Sequence, residues 1–328
     1  MKIKNIAAKY GIFVALVLLI VFFSVTSSSF LSIENVMNIL RQVAVIGICA
    51  VGMTFIILTG GIDLSVGSIV GVAAVLDAKL MVSGMNPILA SIISLAAGAI
   101  LGGLNGFIIN EFHISPLIAT LGTMTSLRGV AYLITKGVPV YGFPNTFSVL
   151  GQGNIGSIPI SVIIMIIVFI FGYVVLNKMV FGRYVYGIGG NEEASRLSGV
   201  HVKKVKYLIY IIAGLLASLA GIVLLSRVNS GAPTAGTGYE MDVITAVVLG
   251  GVSIIGGEGS IFGVIMGVMI MGVLANGMII MNINDYYQMI IKGIVLLAAV
   301  AFDQISKRNG AEVKDREDVI GEAGTKDK

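Results

Sequence analysis

Charge is scarce in this sequence. Only 38 of its 328 residues are Asp, Glu, Lys or Arg, 12% of the chain, against ~25% in a typical globular protein. Twelve of those charges crowd into the last 22 residues, from Lys307 to Lys328, so the first 306 residues share the other 26. A soluble domain cannot cover its surface with so few. A cytosolic enzyme, a nucleic-acid binder and a disordered scaffold are therefore excluded. Cysteine is also nearly absent. Cys49 stands alone in an apolar run, where it is expected in the core, so there is no disulfide framework and no cysteine-based metal site. The two histidines, His113 and His201, fall in expected loops without metal-ligand spacing. There is no G-x-x-x-x-G-K-[ST] loop to hold nucleotide phosphates, no Gly-Lys dipeptide at all and no G-x-S-x-G elbow. The chain reads as a pathway without its own energy source, binding no cofactor itself and relying on a partner for work.

Long apolar stretches fill the space that charge leaves. Hydrophobic residues make up 56% of the chain. A membrane span needs ~20 mainly apolar residues to cross ~30 Å of hydrocarbon. Ten stretches qualify, some marginally: 10–26, 43–59, 66–83, 88–109, 114–134, 158–178, 207–226, 241–256, 261–281 and 285–303. The eighth is the weakest, because Gly250, Gly251, Gly256 and Gly257 interrupt it. The fold class expected is an all-α polytopic membrane protein of about ten transmembrane helices. Lys2, Lys4 and Lys9 precede the first stretch and no small-x-small cleavage site comes before Phe30, so the first span is read as retained. The segment 141–159, with Pro144 and Pro159, reads as a loop or a short re-entrant element.

Basic residues set orientation in membrane proteins, so the net charge of +4 is no nucleic-acid signal. With the N-terminus inside, residues 1–9, the segment 179–206 with its flanks and the tail hold 3, 6 and 6 of the 21 Lys and Arg. Both termini are then cytoplasmic. Residues 1–306 form the transmembrane domain, 179–206 its cytoplasmic segment and 307–328 a charged tail expected to be disordered. The G-x-x-x-G pairs Gly67/Gly71, Gly98/Gly102, Gly102/Gly106 and Gly263/Gly267 suit close helix packing within one subunit, or between two. Residues 57–71, ILTGGIDLSVGSIVG, weakly echo 248–263, VLGGVSIIGGEGSIFG.

Several residues carry candidate chemistry. Asn191 suits a helix N-cap, Glu192 and Glu193 suit the positive helix end, and Gly199 suits a left-handed C-cap, so a short helix is expected over 192–198. It either docks a soluble protein or merely joins two spans. Asp63 and Ser65, following Gly60 and Gly61, either shape the path at a helix break or cap the next helix. An ionised group in a span is costly, so Asp63 should face protein or water, and Arg128 should pair with an acid or with carbonyls. Thr120 and Thr123 share one helix face and, with Asn105, either line a path for a neutral sugar or bond their own backbone. Glu240 and Asp242 either meet an external protein or cap their helix.

The motifs ILTGGIDLSVGS (57–68), PLIATLGTM (116–124), GRYVYGIGGNEEASRLSG (182–199), PTAGTGYEMDVITAVVLGG (233–251) and YYQMIIKG (286–293) together resemble the permease subunits of bacterial ABC sugar importers of the ribose type. The similarity spans about 250 residues, and ribose permeases are the nearest in pattern. The resemblance implies a homodimer in the bacterial cell membrane, with cytoplasmic ATP-binding subunits that carry ATP and Mg, and an external sugar-binding protein. It makes Asn191, Glu192, Glu193, Ala194, Arg196, Leu197, Ser198 and Gly199 the segment coupled to the ATPase. The cargo it implies is ribose or a related monosaccharide; another pentose or hexose, or an autoinducer, is the alternative. A stand-alone secondary transporter would want ion-coupling acids and usually inverted repeats, and an intramembrane enzyme would want clustered His, Asp or Ser. At Glu258 and Ser260 the chain departs from relatives that usually carry a basic residue there.

Overall fold

The computed structural model describes the backbone of residues 2–325 and the side chains of residues 11–305. The expectation for the tail from residue 307 lies outside the described side chains. In chain order the helices are α1 (Lys2–Thr26), α2 (Ile33–Leu58), α3 (Val66–Val82), α4 (Pro87–Phe112), α5 (Pro116–Thr135) and the one-turn α6 (Val149–Gln152). There follow α7 (Ile160–Lys178), α8 (Val180–Gly190), α9 (Glu192–Leu197), α10 (Val202–Val228), α11 (Tyr239–Leu249), α12 (Ile261–Ile280) and α13 (Asp285–Thr325). The segment after α5 is a 3-10 turn, α6 and a two-residue hairpin, β1 (Asn154–Ile155) with β2 (Ile158–Pro159), as its prolines and glycines suggested.

Local chemistry sets the helix ends. Ser32, Asn86 and Ser260 each accept a hydrogen bond from a first-turn amide, of Asn35, Ile88 and Gly263 respectively. Proline opens α4 and α5, where its missing N–H costs nothing. Ser260 thus has a structural task as the cap of α12.

Among the described residues, seven helices are long and apolar enough to cross a membrane: α2, α4, α5, α7, α10, α12 and the first half of α13. The stretch from Gly11 in α1 is apolar but shorter. The expected spans over 66–83 and 241–256 become shorter helices. The 17 residues of α3 reach ~26 Å. The 11 residues of α11 reach only ~16 Å, about half of the hydrocarbon. The eighth span therefore needs correction: its helix stops at Leu249. Gly251, Gly256, Gly257 and Gly259 all take positive φ, and residues 250–260 turn back onto α12. A Cβ at Gly250 would overlap the backbone of Gly263 and Val264, at 2.7 Å.

Helix α2 forms the centre of the molecule. It packs against α10, α12, α7 and α11, and its apolar window is 83% buried, compared with 22% for that of α5. The paired glycines make this packing possible within one chain. Gly98, Gly102 and Gly106 lie against Ser218, Gly214 and Tyr210 of α10; Gly263 and Gly267 lie against Gly250 and Ala246; Gly67 and Gly71 lie against residues 235–240. Cys49 is buried in this core, as expected.

Candidate functional site

Between α2 and α3 the chain runs through seven non-helical residues, 59–65, held by hydrogen bonds to α2, α4 and α5. Asp63 and Ser65 are fully buried. One carboxylate oxygen of Asp63 accepts the Ser65 amide at 2.7 Å and the Ser65 hydroxyl at 2.6 Å. The Asn105 side-chain amide donates to the Ser65 oxygen at 2.8 Å, which ties α4 to the break. The Thr120 hydroxyl accepts the Leu64 amide at 3.0 Å and lies 3.2 Å from the Ile62 carbonyl, tying in α5. Asp63, Ser65, Asn105 and Thr120 are thus one cluster. Thr123 is not part of it, since its hydroxyl donates to the Thr120 carbonyl of its own helix at 3.1 Å. Ser65 is the N-cap of α3 by position but makes no side-chain cap bond, so Asp63 anchors the turn instead. Gly60 supplies the positive φ of 77° that lets the chain leave α2.

A second polar group lies further along α3 and α5. The Arg128 guanidinium donates to the carbonyls of Pro233 and Ala235 at 2.9 and 2.8 Å. It thereby holds the irregular stretch that leads into α11, and carbonyl pairing is one of the two outcomes its burial demanded. Glu240 packs against Gly67, with one carboxylate oxygen buried and unpartnered. Asp242 is 8% exposed and accepts from the Lys292 ammonium at 2.7 Å, linking α11 to α13. Asp242 is thus buried and Glu240 half-buried.

The third feature is α9. Its whole length is unburied, yet it is closed at both ends. The Asn191 side chain accepts the Ala194 amide at 2.8 Å. At the other end Gly199, at φ 86°, donates its amide to the Arg196 carbonyl, and Val200 donates to the Ser195 carbonyl. These two bonds make a Schellman cap. The expected helix over 192–198 is observed over Glu192–Leu197 with both caps as read. Glu193 pairs with Arg196, whose guanidinium holds that carboxyl below its usual range. Glu192 pairs with Lys206 of α10 at 2.7 Å. Ala194 and Ser198 keep the helix short-sided, and Leu197 stands 78% exposed at its tip.

Helix α9 hangs from the core by a backbone crossing. The Gly257 amide donates to the Leu58 carbonyl at 2.9 Å. A Cβ at Gly189 would overlap both that carbonyl oxygen and the Gly257 amide, and a Cβ at Gly256 would lie 3.1 Å from the Gly189 Cα. The ends of α2, of α8 and of the 250–260 turn thus meet where only glycine fits. The two echoing segments, 57–71 and 248–263, touch each other here, two residues before the Asn191 cap.

Sequence reasoning missed Tyr210, Lys206, Gly189 and Lys292. Tyr210 is a single polar side chain in an apolar run and belongs to no quoted motif, while Lys292 lies in YYQMIIKG but its partner Asp242 is distant in sequence. Gly189 sits inside GIGGNEE, and its role shows only when α2 and the 250–260 turn are placed against it.

Taken together, these are the features of an all-α polytopic membrane protein. Its core helices break at buried polar turns, and it presents a capped helix on one side. The chain belongs to the family described as branched-chain amino acid transport system / permease component, which it matches over residues 35–300. It is 46% identical to the ribose import permease protein RbsC of Bacillus subtilis (strain 168), over 92% of this chain and 94% of that one. It is also 46% identical to RbsC of Escherichia coli (strain K12), over 88% and 92% of the two chains. The D-allose transport system permease protein AlsC of Escherichia coli (strain K12) is 37% identical, over 90% and 92%. No solved structure matches this chain.

Proposed function

We propose that this chain is the membrane permease subunit of an ATP-driven importer in the bacterial cell membrane, and that its cargo is ribose or a related monosaccharide. The similarity to ribose import permeases over nine-tenths of the chain supports the cargo. The D-allose relative keeps an aldohexose as the alternative. The observation that carries the coupling is α9: a helix with no buried residue, fixed at both caps, joined through Gly189 to the turns of the two core hairpins. In this reading α9 faces the cytoplasm, because the segments on its side hold most of the Lys and Arg.

Two copies of the chain stand side by side. An ATP-binding subunit, which carries ATP and Mg, receives the side chains of residues 191–199. A sugar-binding protein delivers cargo on the opposite side. Closure of the ATPase moves α9, and the glycine crossing passes that movement to residues 59–65. Gly60 and Gly61 supply the hinge there, while Asp63, Asn105 and Thr120 bond the Ser65 amide and hydroxyl and the Leu64 amide. Arg128 holds the second break open along the path. No charged group is needed to carry a neutral solute, which agrees with the scarcity of charge in the spans. The test uses the chain reconstituted with its ATPase and binding protein. Substituting Glu193 or Gly199 abolishes sugar-stimulated ATP hydrolysis while membrane insertion is retained. Normal sugar stimulation in the Glu193/Gly199 double variant contradicts the reading.

A further inference from the structure

A cavity of about 180 Å³ lies where α9, α10, the α4–α5 turn and residues 59–61 meet. It is smaller than the ~300–1,000 Å³ of sites for drug-sized ligands. Thr59, Gly61, Glu192, Lys206 and Tyr210 are among its walls. Glu192 and Lys206 neutralise each other at 2.7 Å, so the cavity offers a matched pair of charges and not a field for an ion. Lys206 keeps further N–H donors. The Thr59 hydroxyl donates to the Ile56 carbonyl at 2.9 Å and keeps its acceptor lone pairs.

Tyr210 is the second, independent observation. It is 2% exposed, and its hydroxyl has no hydrogen-bond partner. That oxygen sits beside Gly61, where a Cβ would lie 3.1 Å from it. Buried hydroxyls are almost always bonded. An unpartnered phenol beside a small cavity with balanced donors and acceptors matches a ligand that is neutral and rich in hydroxyls.

We propose that this cavity binds a neutral polyol of monosaccharide size from the α9 side, and that occupancy ties α9 to the α2–α3 break and slows the transport cycle. The cavity walls include Gly60 and Gly61, the hinge of the importer reading, together with Glu192 of α9, so a bound molecule would brace that hinge. The binding stands on the geometry alone, and only its consequence rests on the importer reading.

Tyr210→Phe is the informative variant. It keeps the ring and removes a hydroxyl that bonds nothing within the protein, so folding and thermal stability are unchanged. The full chain in lipid nanodiscs, without partners, is titrated with radiolabelled D-ribose. The parent binds saturably and Tyr210→Phe binds about tenfold more weakly, the loss expected for one good hydrogen bond. Ribose 5-phosphate competes poorly. No saturable binding by the parent, or equal binding by the variant, overturns the proposal. In proteoliposomes holding the whole complex, preloaded D-ribose slows initial ATP-driven uptake of labelled D-ribose several-fold relative to preloaded salt of equal osmolarity, and Tyr210→Phe abolishes the slowing. Equal slowing in both chains overturns the regulatory claim. Absence of any ATP-driven uptake in unloaded vesicles overturns the importer reading instead, and the nanodisc titration then decides the binding separately.

Discussion

Asp63 shows how one residue holds a helix break inside a membrane protein. Its carboxylate satisfies the first free amide of the turn and, through Ser65, reaches Asn105 on a different helix. Replacing it with alanine strands the Ser65 amide and hydroxyl in a buried site, at a cost of about 1–3 kcal/mol. Asparagine retains an oxygen in the accepting position. Thermal unfolding in one lipid–detergent mixture should therefore rank parent, Asp63→Asn and Asp63→Ala in falling order. Equal midpoints for the two variants would show that the acceptor bonds contribute little. Glu193 offers a pH test on the exposed helix α9. Its folded pKa is lowered by Arg196, so its contribution to α9 is complete above the usual carboxylate range. That contribution is lost as pH falls through the lowered value. The side chains of the pair are 65% and 63% exposed, so the effect is modest and screened by salt. The carbon-13 shifts of Ala194 should move slightly toward coil on acidification, and less so in high salt.

At the scale of elements, the glycine crossing makes the sharpest demand. Gly189 and Gly190 are neighbours of the same residue type, yet only at Gly189 would a Cβ run into other backbone; a Cβ at Gly190 meets nothing within 4 Å. Gly189→Ala must push α8 away from α2 and the 250–260 turn, an overpacking cost of about 1–3 kcal/mol. Gly190→Ala should be tolerated. Measured side by side, the first variant loses thermal stability and sugar-stimulated ATP hydrolysis, and the second keeps both. Here the reach of the sequence can be judged. The caps of α9 were legible because N-caps and left-handed glycines are local chemistry, decided within four residues. The Arg128 bonds to carbonyls were legible as one of two outcomes, because a buried guanidinium must be satisfied. The early end of α11 was legible only as a weakness at Gly250, Gly251, Gly256 and Gly257, because residues 241–256 stay apolar enough to pass as span. Hydropathy averages over conformation, and positive φ at Gly251, Gly256, Gly257 and Gly259 is invisible to it. Tyr210 was illegible for a different reason: its unpartnered hydroxyl appears only when α10 is laid against Gly61.

Across the whole molecule, the pattern is a central helix, α2, wrapped by others and interrupted where function needs movement. Irregular backbone is tolerated at membrane depth only when protein buries and bonds it. In the breaks at 59–65 and 229–238, Asp63, Ser65, Gly231 and Pro233 are buried, and Asp63, Thr120 and Arg128 bond the backbone. The same economy of charge that marks the sequence reappears here, since the few buried ionisable groups are spent on holding breaks and joining helices. The central claim is that this chain carries solute only when driven by an ATPase through α9. Uptake of labelled D-ribose into proteoliposomes tests it most directly. Uptake should require the chain, its ATP-binding subunit, the sugar-binding protein and ATP together, and should stop when any one is left out. Uptake by the chain alone under an ion gradient would contradict the account.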